Sequence, residues 1–166
     1  DVGTGDARID PLLAGDGNFT TAVARTGEAR FRFADMLMQT PAMSLRGDAD
    51  ISLDGSNTAD LLFRINDAAV LDSSLSGPIS VDFGATPAEL DATDVNLRVF
   101  GPGTNVALDA LVASPANDRE VAGELTAQIA NLATFATLIG QPVAGSIDET
   151  ASGSVLPDLT RFDSQV

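Results

Sequence analysis

Apolar and polar residues alternate one for one along most of this chain, and that period of two constrains its fold more than any other feature. Glu28-Ala29-Arg30-Phe31-Arg32-Phe33 reads this way, as do Asp48-Ala49-Asp50-Ile51-Ser52-Leu53-Asp54 and Ile79-Ser80-Val81-Asp82-Phe83. Ala59, Leu61, Phe63 and Ile65 share one parity. So do Val95, Leu97 and Val99, then Val106, Leu108, Ala110 and Val112, then Val121, Gly123, Leu125, Ala127 and Ile129. Successive side chains of a strand point to opposite faces, so these segments are predicted to be strands with one dry and one wet face. Opposite charges share the wet face, which favours antiparallel pairing. Turn formers separate the runs at Asp54-Gly55-Ser56-Asn57, Ser76-Gly77-Pro78, Gly84-Ala85-Thr86-Pro87, Gly101-Pro102-Gly103 and Ser114-Pro115-Ala116-Asn117-Asp118. The fold class expected is all-β, in one domain over residues 1–166.

One short helix is predicted near residues 131–140. Asn131 suits its N-cap, Leu132, Phe135, Ala136 and Ile139 fall on one helical face, and Gly140 and Pro142 end it. A pattern of apolar-x-Gly-x-apolar recurs at Leu45-Gly47-Ala49, Leu75-Gly77-Ile79, Val121-Gly123-Leu125, Val143-Gly145-Ile147 and Ala151-Gly153-Val155. Each copy is expected to begin a strand, with its glycine on the dry face where a sheet bends. Irregular spacing between copies disfavours a solenoid of fixed coil length and suits a sheet that curls along its length.

Composition removes most chemistry. The chain has 9 basic residues, all Arg, against 24 acidic ones, a net charge of −15, and it contains no Cys, His, Trp or Tyr. Thiolate nucleophiles, Cys/His zinc sites, Schiff-base lysines and Ser-His-Asp triads are therefore excluded. Scattered Arg among so many carboxylates speaks against nucleic acid and against an anionic bilayer surface. Asp48-x-Asp50-x-Ser52-x-Asp54-Gly55 resembles a calcium loop only superficially: positions six and twelve hold Leu53 and Ala59 where Gly and Glu are required. The chain is expected to have no catalytic residue, no metal and no cofactor, and not to be an enzyme.

The first residues lack a basic segment followed by an apolar stretch, so the chain reads as a piece of a longer protein without a signal peptide of its own. The long uncharged stretch from Leu125 to Ile147 is broken by Gln128, Asn131, Gln141, Pro142 and Gly145, and is not predicted to span a membrane.

The apolar stripe is what remains to carry function. Phe31, Phe33, Ile51, Leu53, Leu61, Phe63, Ile65, Ile79, Val81, Phe83, Val95, Leu97, Val99, Val106 and Leu108 are the candidate lining of an apolar groove, with Leu132, Phe135, Ala136 and Ile139 as a helix at its end. Alternation alone fits an open curved sheet and a closed sandwich or barrel equally well.

From Val121 to Ile147 the sequence resembles the TamB (translocation and assembly module subunit) and AsmA-like family. Strand, short Leu/Ala-rich helix and a Gly-x-Pro-apolar-x-Gly-x-apolar strand follow one another, the last as Gly140-Gln141-Pro142-Val143-Ala144-Gly145-Ser146-Ile147. Gly153-Ser154-Val155-Leu156-Pro157-Asp158-Leu159-Thr160-Arg161-Phe162-Asp163 is similar too, so the resemblance covers about residues 75–163, and residues 1–74 share only the alternation. The resemblance implies an elongated curved antiparallel sheet folded into a taco-like apolar groove. It implies a periplasmic segment of a protein anchored in the inner membrane by a helix absent here. It also implies phospholipid acyl chains as cargo, an outer-membrane BamA-like barrel of the TamA type as partner, and a role in outer-membrane biogenesis, protein secretion included. The alternative is a structural or adhesive extracellular β-module with a closed core, of the autotransporter-passenger or surface-layer type.

Overall fold

The computed structural model describes residues 10–52, 57–89, 92–113, 120–136, 140–156 and 159–165. They form one ten-stranded sheet in which spatial order is sequence order. The strands are β1 Asn18–Arg25, β2 Arg30–Gln39, β3 Met43–Ser52, β4 Thr58–Ile65, β5 Ile79–Pro87, β6 Ala92–Gly101, β7 Thr104–Ala113, β8 Glu120–Ile129, β9 Ile147–Leu156 and β10 Leu159–Gln165. Each pairs antiparallel with the next, and among the described residues no pairing joins β1 to β10. The antiparallel all-β class is as the alternation predicts, and the sheet is open, which the alternation left undecided and the family resemblance implied. Leu53 and Ile139 lie outside the described residues.

Register explains why the alternation survives folding. Ala59, Leu61, Phe63 and Ile65 of β4 stand opposite Ala85, Phe83, Val81 and Ile79 of β5. Phe83, Val81 and Ala85 in turn oppose Leu97, Val99 and Val95 of β6, which oppose Leu108, Val106 and Ala110 of β7. Since paired residues share a face, one side of the sheet is aliphatic from strand to strand. The other side pairs charges: Arg30 Nε reaches Asp50 Oδ1 at 2.7 Å, and one Arg98 nitrogen reaches both oxygens of Asp109 at 2.7 and 2.8 Å.

β2 contains one residue more than either neighbour needs. Its pairing with β3 shifts between Phe33 and Met36, and with β1 between Thr20 and Ala22. The extra residue is Asp35, with φ 52°, a left-handed conformation that Asp tolerates better than most residues. The bulge keeps Phe31, Phe33, Met36 and Met38 on the same face as Ile51, Ala49, Gly47 and Leu45, and it bends the strand.

Two of the expected local features differ. Gly84 to Pro87, read as a turn, is the second half of β5. Gly84 leaves room there for the Asn96 side chain, and Pro87 is the last strand residue, where an absent N–H costs little. The recurring glycines also divide. Gly47, Gly123 and Gly153 lie inside β3, β8 and β9, whereas Gly77 and Gly145 precede β5 and β9 in turns with φ 95° and 109°.

The strands are joined at one end by longer connections that supply what core there is. A four-residue helix, α1 Asp10–Leu13, precedes β1. A 3₁₀ turn at Ala68–Val70 joins β4 to β5, and another at Leu132–Phe135 joins β8 to β9. The two 3₁₀ turns share a plan. Asp67 caps the first by accepting from the Ala69 N–H, and Asn131 caps the second by accepting from the Ala133 N–H. Gly77 O accepts from Ala68 N at 2.7 Å, and Gly145 O from Leu132 N at 2.8 Å. Asn131 thus caps as predicted; the turn it starts is 3₁₀ over Leu132–Phe135 and α-helical at Ala136, and residues 137–139 of the expected helix lie outside the described residues.

Candidate functional site

The feature that stands out is the apolar face, because so little of the chain covers it. Only eight hydrophobic residues among those described are buried, four of them alanines, and no large side chain is fully buried. Apart from sparse contacts, each strand packs on its sequence neighbours, and among the described residues no second layer lies over the sheet. The accessible surface is 10796 Å², against about 7,700 Å² expected for a compact globule of this mass. A sandwich or barrel would hide its aliphatic side chains; here most are half-buried.

Among the described residues, cover lies at one end. Leu12 of α1 packs with Met43 and Ile65 in a small buried cluster, and Leu13, Met38, Phe63, Val70, Leu71 and Ile79 surround it. Thr40 latches α1 down: its hydroxyl donates to Leu12 O at 2.7 Å and accepts from Met43 N at 3.1 Å. The two 3₁₀ connections meet at this same end, where the Ser74 hydroxyl donates to Asp72 Oδ1 at 2.7 Å and lies 3.2 Å from Thr134 O. Leu132, Phe135 and Ala136 are half-buried in that layer.

Away from this end the face is open. Phe31 and Ile51, opposite one another on β2 and β3, are 43% and 49% exposed. Leu125 and Val121 of β8 are exposed as well. Every candidate lining residue within the described part, from Phe31 to Leu108, lies on this one face by register. Residues outside the candidate lining extend it: Phe19 and Val23 on β1, Met36 and Met38 on β2, Leu45 on β3, and Leu125 and Ile129 on β8. Their parity was readable in β8; in β1 the run Asn18-Phe19-Thr20-Thr21-Ala22-Val23 alternates too weakly to announce itself.

Within the face, residue size is graded. The row Ala49, Ala59, Ala85, Val95, Ala110, Gly123, Gly153 crosses seven strands with small side chains. Beside it runs Leu61, Phe83, Leu97, Leu108, Leu125. Hollows elsewhere are open and of mixed lining, one bounded by Arg64, Ser80, Phe100 and Pro102, another by Asp94, Asn96 and Asp109. Among the described residues no group of three or more acidic side chains is placed to hold a metal ion, and no helix is long and apolar enough to cross a membrane. Asp48 and Asp50, from the calcium-like run, are engaged instead with Asp35 N and Arg30.

No family model, no curated protein and no solved structure matches this chain.

Proposed function

We propose that the uncovered face is a groove for phospholipid acyl chains, and that the chain is a segment of a periplasmic bridge anchored in the inner membrane, which guides lipid toward the outer membrane and supports outer-membrane protein assembly with a TamA-type barrel. The observation that carries this reading is the continuity of the aliphatic rows across β2 to β8, with no covering layer among the described residues. Burying a methylene is worth about 0.8 kcal/mol, so a chain of about sixteen carbons gains roughly 13 kcal/mol gross on leaving water. That gain is non-directional, and a smooth aliphatic row lets a chain slide between equivalent positions. Headgroups would ride at the wet margins. The absence of Trp and Tyr suits a dry lining, since their polar atoms demand partners.

The second reading, a structural or adhesive extracellular module, supposes a closed core, and the open sheet lends it less support. Uptake of fluorescent phosphatidylethanolamine from phosphatidylethanolamine/phosphatidylglycerol vesicles, with native mass spectrometry of the loaded chain, tests the proposal. The parent chain should take up lipid. Leu97→Asp and Leu125→Asp, on the open part of the face, should keep the β-sheet circular dichroism and lose the lipid. A parent that extracts no lipid, or folded variants that load as well as the parent, would overturn it.

A further inference from the structure

Among the described residues, no strand pairs with the outer edge of β1. Seven of the eight β1 residues are exposed, among them Phe19 at 61% and Val23 at 59%. Natural edges are blunted by Lys, Pro, bulges or inward charges. β1 has no Lys, no Pro and no bulge of its own; its one charge, Arg25, is its last residue, opposite Phe31 on the apolar side, and leaves Phe19 to Ala24 without a charge. This edge is also the least acidic part of a chain with net charge −15. β1 and β2 together hold Arg25, Arg30 and Arg32 against Asp35, whereas the carboxylates of Asp82, Asp94, Asp109, Glu124 and Asp148 gather on β5 to β9, with Arg98 the one base there.

The backbone sets which atoms this edge offers. Thr26 N donates to Arg30 O at 2.9 Å, in the register that pairs Ala24 with Arg32 and Ala22 with Ala34. Hydrogen-bonded pairs alternate along an antiparallel ladder, so Phe19, Thr21 and Val23 turn their N–H and C=O groups outward.

We propose that β1 is a self-association edge, pairing antiparallel with β1 of a second copy about a twofold axis at Thr21. In that register Thr21 meets Thr21, and Phe19 of each copy meets Val23 of the other, so the two most exposed apolar side chains of the chain cover one another. A twofold axis normal to the sheet keeps both apolar faces on one side, and the pairing doubles the length of the face. The acidic flanks, beginning at β5 in each copy, stay about 43 Å apart, well beyond a screening length of about 8 Å. The inference stands independently of the lipid reading.

The chain has no cysteine, which makes a register test clean. Directly opposed hydrogen-bonded residues have Cα atoms about 5.5 Å apart, within the span of a disulfide. Under oxidised glutathione, Thr21→Cys should form a covalent dimer and Ala24→Cys, about 20 Å from its own copy across the axis, should not. Sedimentation equilibrium of the unmodified chain should show a monomer–dimer equilibrium that closes at two. Val23→Lys, at an exposed position, should retain the circular dichroism and weaken that dimer about tenfold or more. A monomer at every concentration, open-ended polymers, or equal cross-linking of the two cysteine variants would each overturn the proposal.

Discussion

The backbone N–H of Asp35 donates to Asp48 Oδ1 across the β2–β3 pair at 3.0 Å. Asp35 is the extra residue of the bulge, so its N–H has no place in the ladder, and the carboxylate of the facing strand takes it. Asp48 also stands directly opposite Asp60 on β4. The carboxylate therefore caps the bulge on one side and faces a like charge on the other.

Asp48→Asn removes the repulsion and keeps an acceptor, whereas Asp48→Ala removes both. Asp48→Ala should be less stable than Asp48→Asn by about 1 kcal/mol in urea unfolding, the worth of a partly exposed hydrogen bond. Equal midpoints for the two variants would show that the capping bond contributes nothing.

At Asp35 itself the left-handed backbone sets the order of substitution. Asp35→Gly should hold or raise the melting temperature, and Asp35→Val should cost about 1–2 kcal/mol, since a β-branched side chain clashes with the backbone at φ 52°.

Gly47 and Gly123 permit close backbone approach on the apolar face. A Cβ at Gly47 would run into the Asp60 carbonyl, and one at Gly123 into the Asp109 carbonyl and the Ala110 backbone. Gly47 additionally has φ 146°. Alanine at either position should destabilise by about 2 kcal/mol or more, with Gly47→Ala the worse. Gly140→Ala meets no atom within 4 Å and bears only the strain of φ 75°, so it should cost about 1 kcal/mol. Thermal melts of the three variants check the ranking.

Thr40→Val keeps the shape of the side chain and deletes the latch between α1 and the β2–β3 turn. The Leu12 carbonyl loses its donor and the Met43 N–H its side-chain acceptor at a buried site, for about 1–3 kcal/mol. Hydrogen exchange should speed up over residues 10–13 and 40–43 and stay unchanged in β6 and β7. Uniform acceleration across the sheet would mean that α1 is part of a single cooperative unit.

Salt should stabilise this chain. The two cross-strand ion pairs among the described residues are partly exposed and worth little, whereas the excess of 15 negative charges repels over the whole sheet. Raising sodium chloride from about 0.01 to 0.15 M shortens the screening length from about 30 to 8 Å and should raise the melting midpoint. A fall would show that the ion pairs dominate.

Much of the fold was legible because a strand places alternate side chains on opposite faces whatever else the molecule does. Phe63, Val81, Val99 and Val106, from four separate segments, share a face for that reason alone. The Asn131 cap was legible too, being set by a side chain two residues from the N–H it accepts. Less visible were features decided by facing strands. The Asp35 bulge depends on what Asp48 offers across the ladder, and Gly84 lies in a strand because Asn96 of β6 fills the space beside it. The α1 helix is too short to show a period, and it is held by Thr40, 28 residues away. The turn at Ala68–Val70 does have a signal in the sequence: Asp67 precedes it as Asn131 precedes its counterpart, and Leu75-Gly77-Ile79 matches Val143-Gly145-Ile147 at the far side of each connection.

The residues alone determined which side of every strand would be oily, because parity along a chain is a local property. Whether that side would be shut in was decided only in three dimensions. A sandwich, a barrel and an open sheet ask for the same alternation, and they differ in where distant strands are carried. Among the described residues each strand returns beside its predecessor and β10 does not pair with β1, so no second layer of strands seals the face.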